Sequence, residues 1–229
     1  MNEFNETSSL TPHARALVYD ALAGLFSYHF GLNDFSERVT DKEANVVAAS
    51  RILGDIGYRC DFAEMFNVAQ SVGGIDELGE VQTEYVALFD RPSPSHALSP
   101  FESVQRKGVA DLTIVGDVKD FYERFGLTLA PDASETADHC SMEFAFMSSL
   151  AFREAEAIRL EADGQRFHDG QLAFLSQHMM QWMPKWLPNL EAAARHPYFA
   201  AAARVAQGFL AEDAERHGIM DPGAILDQG

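Results

Sequence analysis

The sequence predicts an all-α fold, in one helical domain that spans residues 1–229. Apolar residues recur at spacings of three and four through most of the chain, the period of a helix with one buried face. Glycines, prolines and capping residues interrupt this pattern, and no segment shows the alternation of a strand. Because 47% of the residues are hydrophobic and 17 are Phe, the chain can bury a large core. We expect residues 1–10 and 220–229 to be flexible tails.

Several of the predicted helices have recognisable starting signals. Thr11 and Pro12 have the residue types favoured at the N-cap and the first helical position. Thr40-Asp41-Lys42-Glu43 has the form of a capping box. Ser99-Pro100-Phe101-Glu102 combines a Ser cap, a proline and a Glu at the third position. Helical stretches are predicted over residues 11–31, 40–54, 61–72, 75–89, 99–125, 136–162, 171–183, 188–195 and 197–216.

Two proline-containing segments break the helical pattern. Residues 90–99 include Pro92 and Pro94 and show no periodicity, so they predict a loop. Residues 126–134 include Pro131 and predict a second loop. The helix that follows, over residues 136–162, is the longest, and its alanines allow a neighbouring helix to approach closely.

The formal net charge of −18 narrows the class of partner. The 35 acidic and 17 basic residues would repel a phosphate backbone, so we expect no nucleic-acid partner. A basic peptide would be attracted, although acidity that serves only solubility explains the same charge. There is no apolar run near the ~18 residues of a membrane span, and the N-terminus lacks the layout of a signal peptide. Cys60 and Cys140 lack metal-type spacing, so we expect a soluble cytoplasmic protein with reduced thiols.

Sequence motifs for metal, phosphate and nucleophile chemistry are absent. None of the 8 His residues has a Glu three positions before it, so the Glu-x-x-His pairs of a di-iron bundle are missing. There is also no His-Glu-x-x-His, P-loop or Gly-x-Gly-x-x-Gly motif. His139 and Cys140 are neighbours on a helix and point about 100° apart, which disfavours a nucleophile pair. We predict no catalytic residue, metal or cofactor, and the alternatives are a helical metal- or cofactor-dependent enzyme and a general helical adaptor.

Asp138, His139 and Glu143 are distinctive because they open a strongly apolar helix. Asp138 fits helix capping or an interaction with the helix dipole. The same dipole disfavours a protonated His139, so we expect a neutral imidazole. The spacing of four between His139 and Glu143 places both on one helix face. There they either form a buried pair or contact a ligand together.

Three segments carry motifs that are weak singly and informative in this order. Residues 85–89 end in Leu-Phe and precede the Ser-Pro-Phe-Glu-Ser turn at 99–103. Residues 138–147 place an acid–His pair before Glu-Phe-Ala-Phe-Met, and residues 174–184 run Phe-Leu-Ser-Gln-His-Met-Met-Gln-Trp-Met-Pro. This succession resembles the TorD/DmsD/NarJ family of cytoplasmic chaperones for molybdoenzymes. The chain departs from the family pattern at Thr136, where proline is common, at Ala145, which replaces a second Glu, and at Phe101, which replaces Tyr.

The resemblance implies a chaperone that catalyses no reaction of its own. Such proteins bind the apo catalytic subunit of a molybdopterin enzyme, often through its twin-arginine signal peptide, until the cofactor is inserted. A leader with basic residues before an apolar stretch needs a receptor with acids beside an apolar groove. The resemblance also implies a monomer or a helix-swapped homodimer. The client-binding residues that it implies are Tyr85, Phe89, Pro100, Phe101, Ser103, Asp138, His139 and Glu143.

Overall fold

The computed structural model describes residues 3–54, 62–90, 98–130 and 135–219. These residues form α-helices and contain no β-strand; a single β-bridge joins Phe101 and His139. The all-α prediction is confirmed. The helices are α1 (Glu3–Leu25), α2 (Leu32–Arg38), α3 (Glu43–Ile52), α4 (Phe62–Gln70), α5 (Ile75–Tyr85), α6 (Glu102–Lys107), α7 (Leu112–Arg124), α8 (Cys140–Arg159), α9 (Gln165–Gln177), α10 (Met183–Ala193) and α11 (Pro197–Arg216).

The pairing of α1 with α8 is the most extensive helix contact. Ala151 and Ala155 of α8 are buried, as the prediction of a close helix approach requires. At the centre of the core the Phe26 ring stacks on Phe144 at 5.7 Å and lies 5.6 Å from Trp186. These rings join α1, α8 and α10. The buried apolar side chains of the described residues form one contiguous cluster.

A buried ionic network also connects α1 with α9 and α11. The Arg15 guanidinium donates to both carboxylate oxygens of Asp213, at 2.7 and 2.9 Å, and to Gln171 Oε1 at 2.6 Å. The Tyr19 hydroxyl donates to Asp213 Oδ2 at 2.6 Å. Burial opposes ionisation of Asp213, but its contact with Arg15 outweighs burial and holds the pKa of that carboxyl below its usual value. We call Arg15, Tyr19, Gln171 and Asp213 the Arg15 network.

The first predicted helix start is wrong. Helix α1 begins at Glu3, so residues 3–10 belong to a helix, and Pro12 lies inside it. A proline inside a helix loses one backbone hydrogen bond. Pro12 is buried, and this burial offsets part of the loss.

The predicted capping box at residues 40–43 is also wrong. Thr40 begins a short 3-10 turn, and its hydroxyl donates to Ser36 Oγ at 3.1 Å instead of capping α3. The Glu43 carboxylate accepts from the Gln70 side chain of α4. Thr40 and Glu43 thus bond other side chains, Ser36 four residues earlier and Gln70 of α4, and neither caps α3.

The predicted Ser99 cap and the start of the helix that was predicted to be the longest both shift. That helix, α8, has 20 residues and is shorter than α1, which has 23. Helix α6 begins at Glu102 with Phe101 as its N-cap residue, so Ser99 and Pro100 precede the helix. Helix α8 begins at Cys140, because the chain before it is extended and pairs with Phe101.

Of the C-terminal elements, α11 follows its prediction, whereas α9 and α10 begin before the predicted residues 171 and 188. Helix α9 begins at Gln165 and ends at Gln177, and a 3-10 turn follows. Pro184 lies in the first turn of α10, and Pro188 lies inside that helix. Helix α11 has the predicted bounds of 197–216.

Some sequence expectations concern residues outside the described ranges. These are Cys60, most of the loop predicted over 90–99, Pro131 and the predicted tail at 220–229. Among the described helices, none combines the length and the hydropathy that crossing a lipid bilayer requires.

Candidate functional site

Two short extended segments meet in front of α6 and α8. Phe101 and His139 form an antiparallel bridge. The amide of Glu102 donates to the Asp138 carbonyl at 2.9 Å, and the amide of Cys140 donates to the Pro100 carbonyl at 2.8 Å. We call residues 100–103 and 138–141 the junction. It brings together five of the eight residues that the family resemblance implies.

Asp138 caps a helix that lies elsewhere in the sequence. Its Oδ2 accepts from the amide of Ser103 at 3.2 Å, in the first turn of α6, and its Oδ1 accepts from the Thr136 hydroxyl at 2.6 Å. A negative charge at a helix N-terminus is favourable. The residue is only 1% exposed. The expected capping role is therefore present, but for α6 and not for the helix that Asp138 precedes.

His139 caps α8 and is fully buried. Its Nδ1 accepts from the amide of Ser141 at 3.2 Å, while Nε2 lies 3.5 Å from the Tyr85 hydroxyl. Burial lowers the pKa of His139 to about 4 against a smaller opposing effect of Asp138, so the ring is neutral at pH 7, as the sequence predicts. Because Nδ1 accepts, the ring proton is on Nε2, facing Tyr85. The ring edge of His139 packs against Phe101 at 5.1 Å.

Glu102, which is part of the junction, and Glu143 of α8 are two further acids in this region. Both are completely buried. Glu143 Oε2 accepts from the Trp182 indole at 3.2 Å, and the Glu102 carboxylate contacts His178 Nδ1 at 3.0 Å. Arg106 donates to Glu102 at 2.5 Å. Burial, followed by the charge of Glu102, raises the pKa of Glu143 well above its usual value.

The side chains of His139 and Glu143 share a helix face, but each has its own partners. His139 contacts Ser141 and Tyr85, whereas Glu143 contacts Trp182. Glu143 lies one helical turn deeper in the core. Both residues are buried, as the buried-pair interpretation expects, but they do not bond to each other.

An apolar cleft of about 470 Å³ opens beside the junction. One wall comes from the single π-helical turn Val86–Asp90 that extends α5, a form of helix that is frequent at functional sites. The opposite wall comes from the start of α7, where Leu112 is 85% exposed. The residues that line the cleft are Leu88, Phe89, Asp90, Leu98, Ser99, Phe101, Ser103, Val104, Ala110, Leu112, Val115, Thr136 and Asp138.

The cleft combines an apolar surface with acidic groups at its edge. The exposed Asp90 is among its lining residues, and Asp111 caps α7 directly before Leu112. Arg106 and Lys107 of α6 are exposed nearby in sequence, and Arg106 is paired with Glu102. An exposed apolar surface bordered by polar groups is typical of a protein or peptide interaction site.

Four of the implied site residues line the cleft and four lie behind it. Phe89, Phe101, Ser103 and Asp138 contribute to its surface. Tyr85, Pro100, His139 and Glu143 are buried behind that surface. The Tyr85 ring packs on Phe89 at 4.8 Å, so this second group supports the residues that form the wall.

Sequence reasoning did not identify Leu112, Glu102 or His178 as parts of the site. Leu112 is the first residue of an amphipathic helix, and its spacing alone cannot distinguish an exposed leucine from a buried one. In the sequence, helix capping explains Glu102, and His178 is part of the motif at residues 174–184. Only the tertiary structure shows that the fully buried Glu102 lies beside the buried imidazole of His178.

Within the described ranges, no three His, Cys, Asp or Glu side chains have an arrangement suited to a metal ion.

Comparison with known proteins places this site in a family. A family model described as nitrate reductase delta subunit matches residues 61–187, which is more than half of the chain. The chain belongs to this family. The matched range contains the junction, the cleft and the buried Glu102–His178 pair. The resemblance to the TorD/DmsD/NarJ chaperones is therefore confirmed.

Individual relatives in this family carry chaperone names. A selenate reductase assembly chaperone protein of Thauera selenatis is 30% identical over 112 residues, which cover 49% of this chain and 58% of the relative. A chlorate reductase assembly chaperone protein of Ideonella dechloratans has the same identity and coverage. The chaperone protein TorD of Shewanella oneidensis is 24% identical over 212 residues, 88% of this chain and 89% of TorD. The chain thus spans 58% of the length of the two assembly chaperones that it matches.

Proposed function

We propose that this protein is a maturation chaperone for one molybdopterin reductase. It binds the apo catalytic subunit in the cytoplasm, holds it until the cofactor is inserted, and catalyses no reaction itself. The observation that carries this proposal is the apolar cleft with acidic edges, built from residues within the family match. The chaperone names of the selenate and chlorate reductase relatives support the same class of client.

The chemistry of the cleft suits the twin-arginine leader of such a subunit. A leader of this type has basic residues followed by an apolar stretch. The apolar stretch would contact Leu112, which is 85% exposed, and the Phe89 and Phe101 side chains of the cleft wall. Burying apolar surface releases free energy in proportion to area. The chain's net charge of −18 attracts the basic part and accelerates encounter.

The residues behind the cleft have a positioning role in this proposal. Asp138 and His139 hold the start of α6 against the start of α8, and Tyr85 supports Phe89. Client contact is then made by the lining side chains. In this proposal the whole chain acts as one domain.

The test uses the molybdopterin reductase subunit encoded nearest to this chain's gene. Binding of its fluorescently labelled N-terminal leader would be measured for the native sequence and for Leu112→Ser. Leu112 is 85% exposed, so its replacement leaves the fold intact, and losing one buried leucine from the complex should weaken binding about tenfold or more. Coexpression of the subunit with the chaperone should raise its molybdopterin content.

The matched control is Leu160→Ser, which removes another exposed leucine, one that follows α8 and does not line the cleft. It should bind the leader like the native protein. Equal affinities of the two variants would contradict the cleft as the binding site. If the native protein bound neither the leader nor the apo subunit, the proposed function would be wrong.

A further inference from the structure

A second exposed apolar surface lies on the outer side of α5. Phe30 is 77% exposed and Ile75 is 79% exposed. Ile75 separates two open depressions of about 440 and 770 Å³ and contributes to both. Two large apolar side chains with most of their surface in water, beside two depressions, indicate a site for a partner. We call Phe30, Ile75, Asp76, Glu80 and Glu84, with Arg195 at their edge, the α5 groove.

The charge of the α5 groove determines what can bind there. Asp76, Glu80 and Glu84 recur at spacings of four along α5, and all three line the larger depression. Like charges at this spacing destabilise a helix, and a bound cation would relieve that repulsion. Within the described residues, Asp76 and Glu80 have no cationic partner. Glu84 accepts from the backbone amide of Arg195 at 2.6 Å, so it is anchored to the chain just before α11.

A row of packed aromatic rings, in which Tyr85 and Phe89 are buried, joins the α5 groove to the cleft. Phe30 contacts Tyr28 at 5.0 Å, Tyr28 contacts Tyr85 at 5.2 Å, and Tyr85 contacts Phe89 at 4.8 Å. Phe30 borders the smaller depression, and Phe89 lines the cleft. Three such steps are no longer than about five extended residues. One polypeptide can therefore reach both surfaces.

We propose that the α5 groove binds a cationic segment of the client, in which arginine or lysine lies next to a large apolar side chain. The cation contacts Asp76 and Glu80, the apolar side chain packs between Phe30 and Ile75, and the adjoining part of the same client occupies the cleft. This inference rests on the proposed function. A second copy of this chain is a poorer occupant, because two chains of charge −18 repel each other.

The experiment compares leader peptides with and without their basic residues. The leader of the reductase subunit is used in its native form and with both arginines replaced by glutamine. Each is titrated into the native protein and into the double variant Asp76→Asn/Glu80→Gln. The double variant should weaken binding of the native leader about three- to tenfold at low ionic strength, and the difference should shrink in high salt. The glutamine leader should bind both proteins equally.

Two further variants sharpen the result. Phe30→Ser/Ile75→Ser removes exposed apolar side chains and should weaken both peptides. Arg195→Gln removes the cation at the edge of the α5 groove and should strengthen binding of the native leader, an effect opposite in sign to that of the acid variants.

The control for charge is Asp117→Asn/Asp120→Asn, which removes two exposed acids from α7. If this control weakened binding as much as the α5 double variant, only the net charge would matter and the inference would be wrong. If Leu112→Ser impaired leader binding but every α5 variant matched the control, the proposed function would stand and the inference would fall. A dimer that dissociated in the Phe30→Ser/Ile75→Ser variant would assign the surface to self-association instead. If the native protein bound no leader, both proposals would be wrong.

Discussion

The protein buries two polar clusters that differ in how their charges are balanced. In the Arg15 network, one guanidinium faces one carboxylate, and Tyr19 and Gln171 add neutral hydrogen bonds. Around the junction, Glu102, Asp138 and Glu143 place three acids together, and their partners are an imidazole, an indole, an edge arginine and backbone amides. In the first cluster Arg15 and Asp213 neutralise each other, and Glu154 lies 4.0 Å from the guanidinium. The second cluster has more acids than basic partners.

The difference shows what each cluster does for the fold. The bidentate ion pair of Arg15 and Asp213 joins α1 to α11, and Gln171 adds α9. Such a buried pair is costly to disrupt. The acid-rich cluster instead holds the start of α6 and α8 in the conformation that forms the cleft. In this cluster Asp138 caps α6, and the pKa of Glu143 is raised. Its contribution to stability therefore depends on pH and on single hydrogen-bond acceptors.

The largest effect is expected when the balanced cluster is broken. Arg15→Met leaves the Asp213 carboxylate buried without its counterion, which should lower the free energy of unfolding by about 3–5 kcal/mol. Urea unfolding followed by circular dichroism measures this change. Arg159→Met is the control, because Arg159 pairs with Glu156 on the exposed surface of α8, where such pairs contribute little. Equal losses in the two variants would show that the Arg15 network has no special role.

A smaller effect is expected at Asp138. Asp138→Ala removes the acceptor for the amide of Ser103 and should cost about 1–2 kcal/mol of stability, together with leader affinity. Asp138→Asn keeps an oxygen acceptor and should preserve most of both. The measurements are thermal unfolding and leader titration. If Asp138→Asn reduced leader binding as strongly as Asp138→Ala while remaining stable, the carboxylate would contact the client's cation directly.

The effect expected at Glu143 is the smallest in acid and grows as the pH rises. Burial and the nearby Glu102 raise the pKa of Glu143 well above 4.5 in the folded state. The folded protein therefore keeps a proton that the unfolded chain releases above pH 4.5, and this group lowers stability as pH rises towards the folded pKa. Glu143→Gln should remove that loss, so its stability relative to the native protein should increase as the pH rises above 4.5, by no more than about 1.4 kcal/mol per pH unit.

His139 provides the internal control for this measurement. Its pKa is lowered from 6.5 to about 4, so its contribution to stability is lost as pH falls through that interval. Glu143→Gln should leave this acid-side loss unchanged. If the stability difference between the variant and the native protein stayed constant as the pH rose from 4.5, the raised pKa of Glu143 would be contradicted.

The sequence predicted those parts of the fold where local and tertiary preferences agree. Helix α11 has its predicted bounds because a proline lies at its first position and Gly218 follows it with a positive φ of 67°. Apolar periodicity was sufficient for the all-α class. The predicted start of α6 was wrong because Ser99 is a residue type that often caps helices. The acceptor for the amide of Ser103 is Asp138, which is 35 residues away in the sequence.

The candidate site was predictable in its members and less so in its geometry. The family motifs led to Phe89, Phe101, Ser103 and Asp138, which do meet at the cleft. Spacing could not show that His139 and Glu143 would be fully buried, because burial depends on how α10 covers the start of α8. Nor could it show that Leu112 would be exposed, since that depends on which face of α7 packs inward.

The bridge between Phe101 and His139 has a consequence for how related proteins can diverge. It is made of backbone hydrogen bonds, which persist whatever side chains surround them. Leu88 borders the cleft from the turn that extends α5, and Leu112 and Val115 border it from α7. All three can be exchanged without disturbing that bridge. Related proteins can therefore come to bind different clients through substitutions of the cleft-lining side chains, while the backbone bridge is retained.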